Sequence, residues 1–146
     1  MMMRTILRNS AILAFLSLDL SGCGSSTTPN PSALTGDWFR CKLSDCTVLD
    51  STGIRFNDDR TWQMLHQLGI PDYSPDLGYC LGSGQDDAGM YEWNGSTLNT
   101  TDGLGRDAGG GTVTFPDQET MQLTESSGSV VLFKRITPTR LTGPCT

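Results

Sequence analysis

Apolar and polar residues alternate along this chain in short runs, separated by turn-forming residues. The alternation is clearest over residues 61–68. Trp62, Met64 and His66 fall on one face and Gln63, Leu65 and Gln67 on the other, the period of two of a half-buried strand. Residues 130–135 repeat the pattern less cleanly. No window sustains an apolar stripe at i, i+3, i+4 and i+7, so helices are not expected. Nine stretches read as strands: 37–43, 46–49, 53–56, 61–68, 90–93, 96–100, 112–115, 120–124 and 130–136. About eight are expected to form. The weakest is 46–49, which also reads as the far arm of a bent first hairpin. Asn57-Asp58-Asp59-Arg60 and Asn94-Gly95 mark turns, and Asn-Gly suits the positive φ angles of a type I′ hairpin.

The rhythm breaks over residues 69–88, a loop of a length that usually carries function. Tyr73, Leu77 and Tyr79 lie on it, and Cys80 would staple it, so it is a candidate lid over a barrel mouth. A second, glycine-rich loop is expected over residues 102–111. Its Gly109-Gly110-Gly111 reads as a flexible linker, since no Gly-Lys-Ser/Thr follows to make a phosphate loop.

The first 22 residues have a different logic. Arg4 and Arg8 precede an apolar run from Ala11 to Leu20, too short to span a bilayer comfortably and interrupted by Asp19. The run ends in Leu20-Ser21-Gly22-Cys23, which resembles the lipobox of bacterial lipoproteins. That resemblance implies cleavage before Cys23, acyl chains on its thiol, and a membrane as partner through those chains. Two or more chains, at about 0.8 kcal/mol per buried CH₂, make a stable anchor. Gly24 rather than Asp follows, which the resemblance associates with the outer membrane of a Gram-negative cell envelope. Residues 23–33 then read as the lipidated cysteine and a Ser/Thr/Pro tether, and 34–146 as one β domain.

Cysteine usage agrees with export. With Cys23 assigned to lipid, Cys41, Cys46, Cys80 and Cys145 remain, and in an oxidising compartment they suggest two disulfides with three pairings open. Cys41–Cys46 with Cys80–Cys145 is favoured. A two-residue hairpin at Leu43-Ser44 would set 41 and 46 face to face. One histidine and no C-x₂-C spacing speak against zinc.

The domain itself resembles the short lipocalin-like domains of bacterial lipoproteins. Leu34-Thr35-Gly36-Asp37-Trp38 carries the Gly-x-Trp of a first strand. Ile54-Arg55-Phe56-Asn57-Asp58-Asp59-Arg60-Thr61-Trp62 is similar to their F-x-x-D-G-T-W hairpin, with Arg60 where Gly is usual. Residues 91–98 and 131–135 match a later hairpin and the closing strand. The resemblance implies a small antiparallel up-and-down barrel of about eight strands, in which Arg135 stacks on Trp38 and closes the barrel. An open sandwich is the alternative architecture.

The whole chain carries a net charge of −6, and removal of Arg4, Arg8 and Asp19 would leave the remainder one unit more negative. Such a surface does not suit nucleic acid or anionic lipid. Asp58, Asp59, Asp86 and Asp87 lack calcium-loop spacing and read as turn residues. His66 has no nucleophile elbow to serve, so no catalytic residue, metal or cofactor is assigned and an enzyme is not expected. Trp62, Met64, Met90, Trp93, Phe115, Met121 and Phe133 form either a core or a pocket. Trp62, Met64, His66, Met90, Trp93 and Phe133 are the candidate ligand-lining set. Two functions follow: a lipid-anchored protein holding a small hydrophobic molecule, or a filled barrel that meets another envelope protein.

Overall fold

The structure is a computed structural model, and it describes residues 33–137 and 141–145. Cys23, the 1–22 segment and the tether up to residue 32 lie outside the described residues. Ten strands follow in order: β1 (Gly36–Cys41), β2 (Leu49–Phe56), β3 (Thr61–His66), β4 (Tyr79–Leu81), β5 (Ala88–Trp93), β6 (Thr97–Asp102), β7 (Asp107–Asp117), β8 (Thr120–Glu125), β9 (Val130–Ile136) and β10 (Leu141–Pro144). Eight of them close a ring in the order β3-β2-β1-β9-β8-β7-β6-β5, with β5 returning to β3. Every ladder in that ring is antiparallel. The fold is therefore a closed up-and-down barrel, and closure leaves those eight strands without a free edge.

β3 divides its outer edge between two partners. Thr61–Gln63 pair with β5 and complete the barrel, whereas Leu65 and His66 pair with Leu81 and Cys80 of β4. β10 runs parallel to β4, and the Cys80–Cys145 disulfide joins the chain beyond β10 to β4. Neither β4 nor β10 was expected from the pattern. Both are short, and each depends on a partner distant in sequence. The second disulfide is Cys41–Cys46, so the favoured pairing is the one present.

Period-two alternation sorts side chains to the two faces of the wall. Trp38 of β1, Ile54 and Phe56 of β2, Trp62 of β3, Tyr91 of β5, Leu98 of β6, Val113 of β7 and Met121 of β8 point inward and form the principal core. Outward on β1 and β3 lie Phe39 and Leu65, both fully buried all the same. What covers them is the 69–82 segment, whose Tyr73, Tyr79 and Leu81 build a second, outer cluster. The rings of Tyr73 and Tyr79 lie 4.7 and 5.5 Å from that of Phe39. Beneath the segment, Arg55 makes a two-pronged ion pair with Asp37, at 2.6 and 2.8 Å. Tyr79 donates its hydroxyl to the same carboxylate at 2.7 Å. A buried carboxylate is tolerable only when so satisfied.

Four local expectations need correction. Residues 46–49 do not form a strand of their own. The chain turns through Lys42–Val48, with Cys46 at φ 54, so the disulfide spans a longer loop than a two-residue hairpin. At Asn94-Gly95 only Gly95 has positive φ (98), so the turn is not type I′. The Asn94 side chain instead accepts from the amides of Ser96 and Thr97 and caps a wider turn. Residues 107–111 are not linker but the start of β7, paired with β6 from Asp107 on and with β8 from Gly111 on. Finally, Tyr73 and Tyr79 are not a lid. They pack on the outer wall because Phe39 and Leu65 offer them an apolar surface there, and Leu77 remains substantially exposed.

Arg60 occupies its turn at φ 67, the left-handed conformation that Gly adopts without steric cost. That is the position where the resembling hairpins carry Gly.

Candidate functional site

The two ends of the barrel are built differently. At the lower end, β1 begins and β9 finishes, with Trp38 directly opposite Arg135. The Arg135 guanidinium stacks 4.2 Å from the Trp38 ring centroid and donates to the carbonyls of Ala33, Thr35 and Gln118. Trp38 donates its indole N–H to Leu34 at 2.7 Å, drawing that fully buried side chain under the barrel. Phe115 lies 5.9 Å from Trp38 and 6.0 Å from Trp93. These rings and Leu34 fill that end as an aromatic plug. The indole N–H of Trp93 is buried there without an acceptor, a cost the plug carries.

The upper end is where the β1–β2, β6–β7 and β8–β9 connections lie, and there the interior is not filled. A cavity of about 830 Å³ opens between β6, β7 and β8, bordered by inward residues and, across the glycine stretch, also by Thr97, Asn99, Thr112 and Thr124 of the outer face. Its apolar side is Ile54, Phe56, Leu98, Met121, Leu123 and Phe133. Its rim is Thr100, Asp107, Glu125, Ser126 and Ser127. The volume falls within the range of small-molecule sites, about 300–1,000 Å³.

The space exists because of Gly109-Gly110-Gly111, which form one wall. All three have φ between 114 and 157. A Cβ on Gly110 would stand 2.1 Å from the carbonyl oxygen of Leu98, and one on Gly111 2.1 Å from that of Thr124. Only glycine fits between the neighbouring strands in this conformation, so this stretch of β7 projects no side chains into the barrel. Backbone pairing to β6, joined by β8 at Gly111, holds it as strand where propensity alone would not.

Of the candidate lining residues, Phe133 alone borders this cavity. Trp62 points inward but is nearly fully buried, with its N–H donated to Thr101 O at 2.9 Å. Met64 packs against the principal core, and Trp93 belongs to the plug. His66 ends β3 on the inward side and pairs with Thr52 and Cys80. Met90 does not line the interior at all. It lies outward between the inward Gly89 and Tyr91 and is half exposed. The sequence reading missed Ile54, Phe56, Leu98 and Leu123 as lining. Ile54 and Phe56 alternate in the strand as visibly as Trp62 does, but which inward positions border empty space depends on what faces them.

Two titration shifts report the burial around the barrel wall. The Tyr79 hydroxyl is pushed well above its ordinary value near 10, by desolvation first and by the Asp37 carboxylate second. Tyr91, whose hydroxyl donates to Asn57 O at 2.7 Å, is raised by burial. Neither borders the cavity. Asp59 and Asp45 close Asx turns onto Thr61 and Thr47, and Asp86 pairs with Arg106.

The chain matches no protein-family model and no curated protein.

Proposed function

We propose that this protein is a lipid-anchored bacterial envelope protein, held through acyl chains on Cys23 at the outer membrane, that binds a small hydrophobic molecule in its barrel. The observation that carries the binding half of this reading is the one-ended filling of the interior. A barrel of this strand number either packs its centre or holds one small ligand. Here an aromatic plug fills one end, while a glycine wall keeps an apolar cavity open at the other. Leaving apolar side chains unpacked costs stability, so a maintained cavity calls for an occupant. The anchoring half rests on the Leu20-Ser21-Gly22-Cys23 motif and its preceding apolar run. Binding is favoured over catalysis, because the serines on the rim have no histidine beside them in the lining.

The test is a titration of the folded, disulfide-bonded protein with an apolar fluorescent probe, read through its tryptophan emission. Saturable binding at about one probe per protein, lost on unfolding, is the expected result. A well-folded protein that takes up no probe overturns the reading. A second reading, docking of another envelope protein, draws on Leu43 and Leu104 on connections at the open end and Val130 at the start of β9, each at least half exposed. Recovery of cleaved, acylated Cys23 from membranes by mass spectrometry tests the anchor separately.

A further inference from the structure

The three tryptophans of the chain all stand on strands of the barrel, and their indole N–H groups meet different fates. Trp38 donates to Leu34 O at 2.7 Å and Trp62 to Thr101 O at 2.9 Å. The Trp93 N–H is buried and has no acceptor, the single buried side-chain nitrogen or oxygen in that state among the described residues. Phe115, edge-on at 6.0 Å, offers an aromatic acceptor at best, and such contacts are weak. Phenylalanine at 93 would keep an apolar ring in the plug without burying an orphan donor. Trp93 also stands beside the cavity. It pairs with Leu98 and Leu98 with Gly111, and both of those residues border the open volume. The Trp93 ring packs against the core cluster that supplies Phe56, Leu98 and Met121 to the lining. A water bound to the indole would need several polar partners, and Phe115 and Leu98 supply no polar side chain.

We infer that the occupant carries an uncharged hydrogen-bond acceptor at one end of an apolar body, and that it enters acceptor first and takes the Trp93 N–H. A carbonyl, ether or hydroxyl oxygen would serve. This rests on the binding reading above and specifies its ligand class. A ligand with such an oxygen relieves the orphan donor, whereas a hydrocarbon of the same shape leaves it unpaired. A carboxylate would bring a full charge into an apolar layer. The guanidinium at that end does not offset it, because Arg135 is committed to the Trp38 face and to the carbonyls of Ala33, Thr35 and Gln118.

Three probes built on one ring separate the possibilities: cyclohexyl methyl ketone, ethylcyclohexane and cyclohexanecarboxylate. None carries an aromatic ring to disturb the indole signals. Binding to the disulfide-bonded protein, labelled with nitrogen-15, is followed through its three indole N–H resonances, with that of Trp93 assigned by its contacts with Phe115. The ketone should move the Trp93 proton downfield and leave those of Trp38 and Trp62 nearly in place, since these already have acceptors. Ethylcyclohexane should bind without that shift, and the carboxylate should bind weakest. In Trp93→Phe the affinity of the ketone relative to ethylcyclohexane should fall by about three- to tenfold. Should that variant not fold, the resonances of the unaltered protein decide alone. Ketone binding that leaves the Trp93 proton unmoved overturns the inference but leaves the barrel a binding protein. So does a ketone preference that survives in a folded Trp93→Phe. Failure of all three probes, and of the fluorescent probe above, overturns the binding reading as well.

Discussion

The two ends of this barrel are made of the same strands yet solve opposite problems. At the closed end, Phe115 packs tilted on Trp38 and edge-on to Trp93, Leu34 is bonded to the Trp38 indole, and Arg135 clamps the first strand to the last. At the open end, β7 replaces side chains with three glycines, and the interior stays hollow. The difference teaches that a barrel need not be uniformly packed to be closed. Backbone pairing runs unbroken round the ring, so stability can be concentrated in one layer while another is left for a ligand. A comparable division separates inside from outside. The 69–82 segment, the best sequence candidate for a lid, spends its aromatics on the outer wall.

If the closed end carries the stability, its loss should be the largest single effect. Trp38→Ala is expected to lower unfolding free energy by about 3–5 kcal/mol in a denaturant titration, through a cavity in the plug and loss of the Leu34 hydrogen bond. A cost similar to that of an open-end substitution would erase the distinction between the ends. Arg135→Ala removes the stacking on Trp38 and leaves the carbonyls of Ala33 and Thr35 to water, for a loss of about 1–2 kcal/mol in the same titration.

The outer wall offers a comparison away from both ends. Tyr79 has a folded-state pKa raised above its unfolded value near 10, so the neutral form is favoured in the fold. Its contribution is fully present below that value and is lost as pH rises through it towards the folded pKa. Tyr79→Phe should therefore cost about 1 kcal/mol at neutral pH, through the lost bond to Asp37. The difference from the parent protein should shrink in urea titrations from about pH 8 to 11. A difference constant with pH would show that neither burial nor Asp37 holds the hydroxyl in its neutral form.

The smallest change in stability should come from filling the open end. Leu123→Trp places bulk where the cavity offers room, so it should alter stability by less than about 1 kcal/mol. The same substitution should weaken apolar-probe binding by at least about tenfold, since it takes the volume a ligand needs. A variant that is strongly destabilised yet binds as before would place the ligand elsewhere.

Much of the wall was legible before any coordinates. Alternation marked 61–68, of which Thr61–His66 form β3, and 130–136, Gly-x-Trp marked the first strand, and the cysteines paired as favoured. Period two is a local property, written into neighbouring residues, and it survives folding. The open end was not legible for the converse reason. Gly109-Gly110-Gly111 has the composition of a linker, and only its pairing to Thr100, Asn99 and Leu98 of β6, joined at Gly111 by Glu125 of β8, makes it a strand and a cavity wall. Met90 read as interior because it is large and apolar, but the inward positions beside it are Gly89 and Tyr91.

By itself, then, the sequence determined the strand periodicity, the turn positions, the disulfide chemistry and the lipobox-like motif. These follow from the rotamers, φ preferences and thiols of residues close together in the chain. Closure, the division of β3 between β5 and β4, the covering of Phe39 and Leu65, and the hollow beneath β7 were decided by tertiary structure alone. Each depends on which distant residue ends up opposite, and whether space is filled or empty is a property of the facing pair rather than of either member.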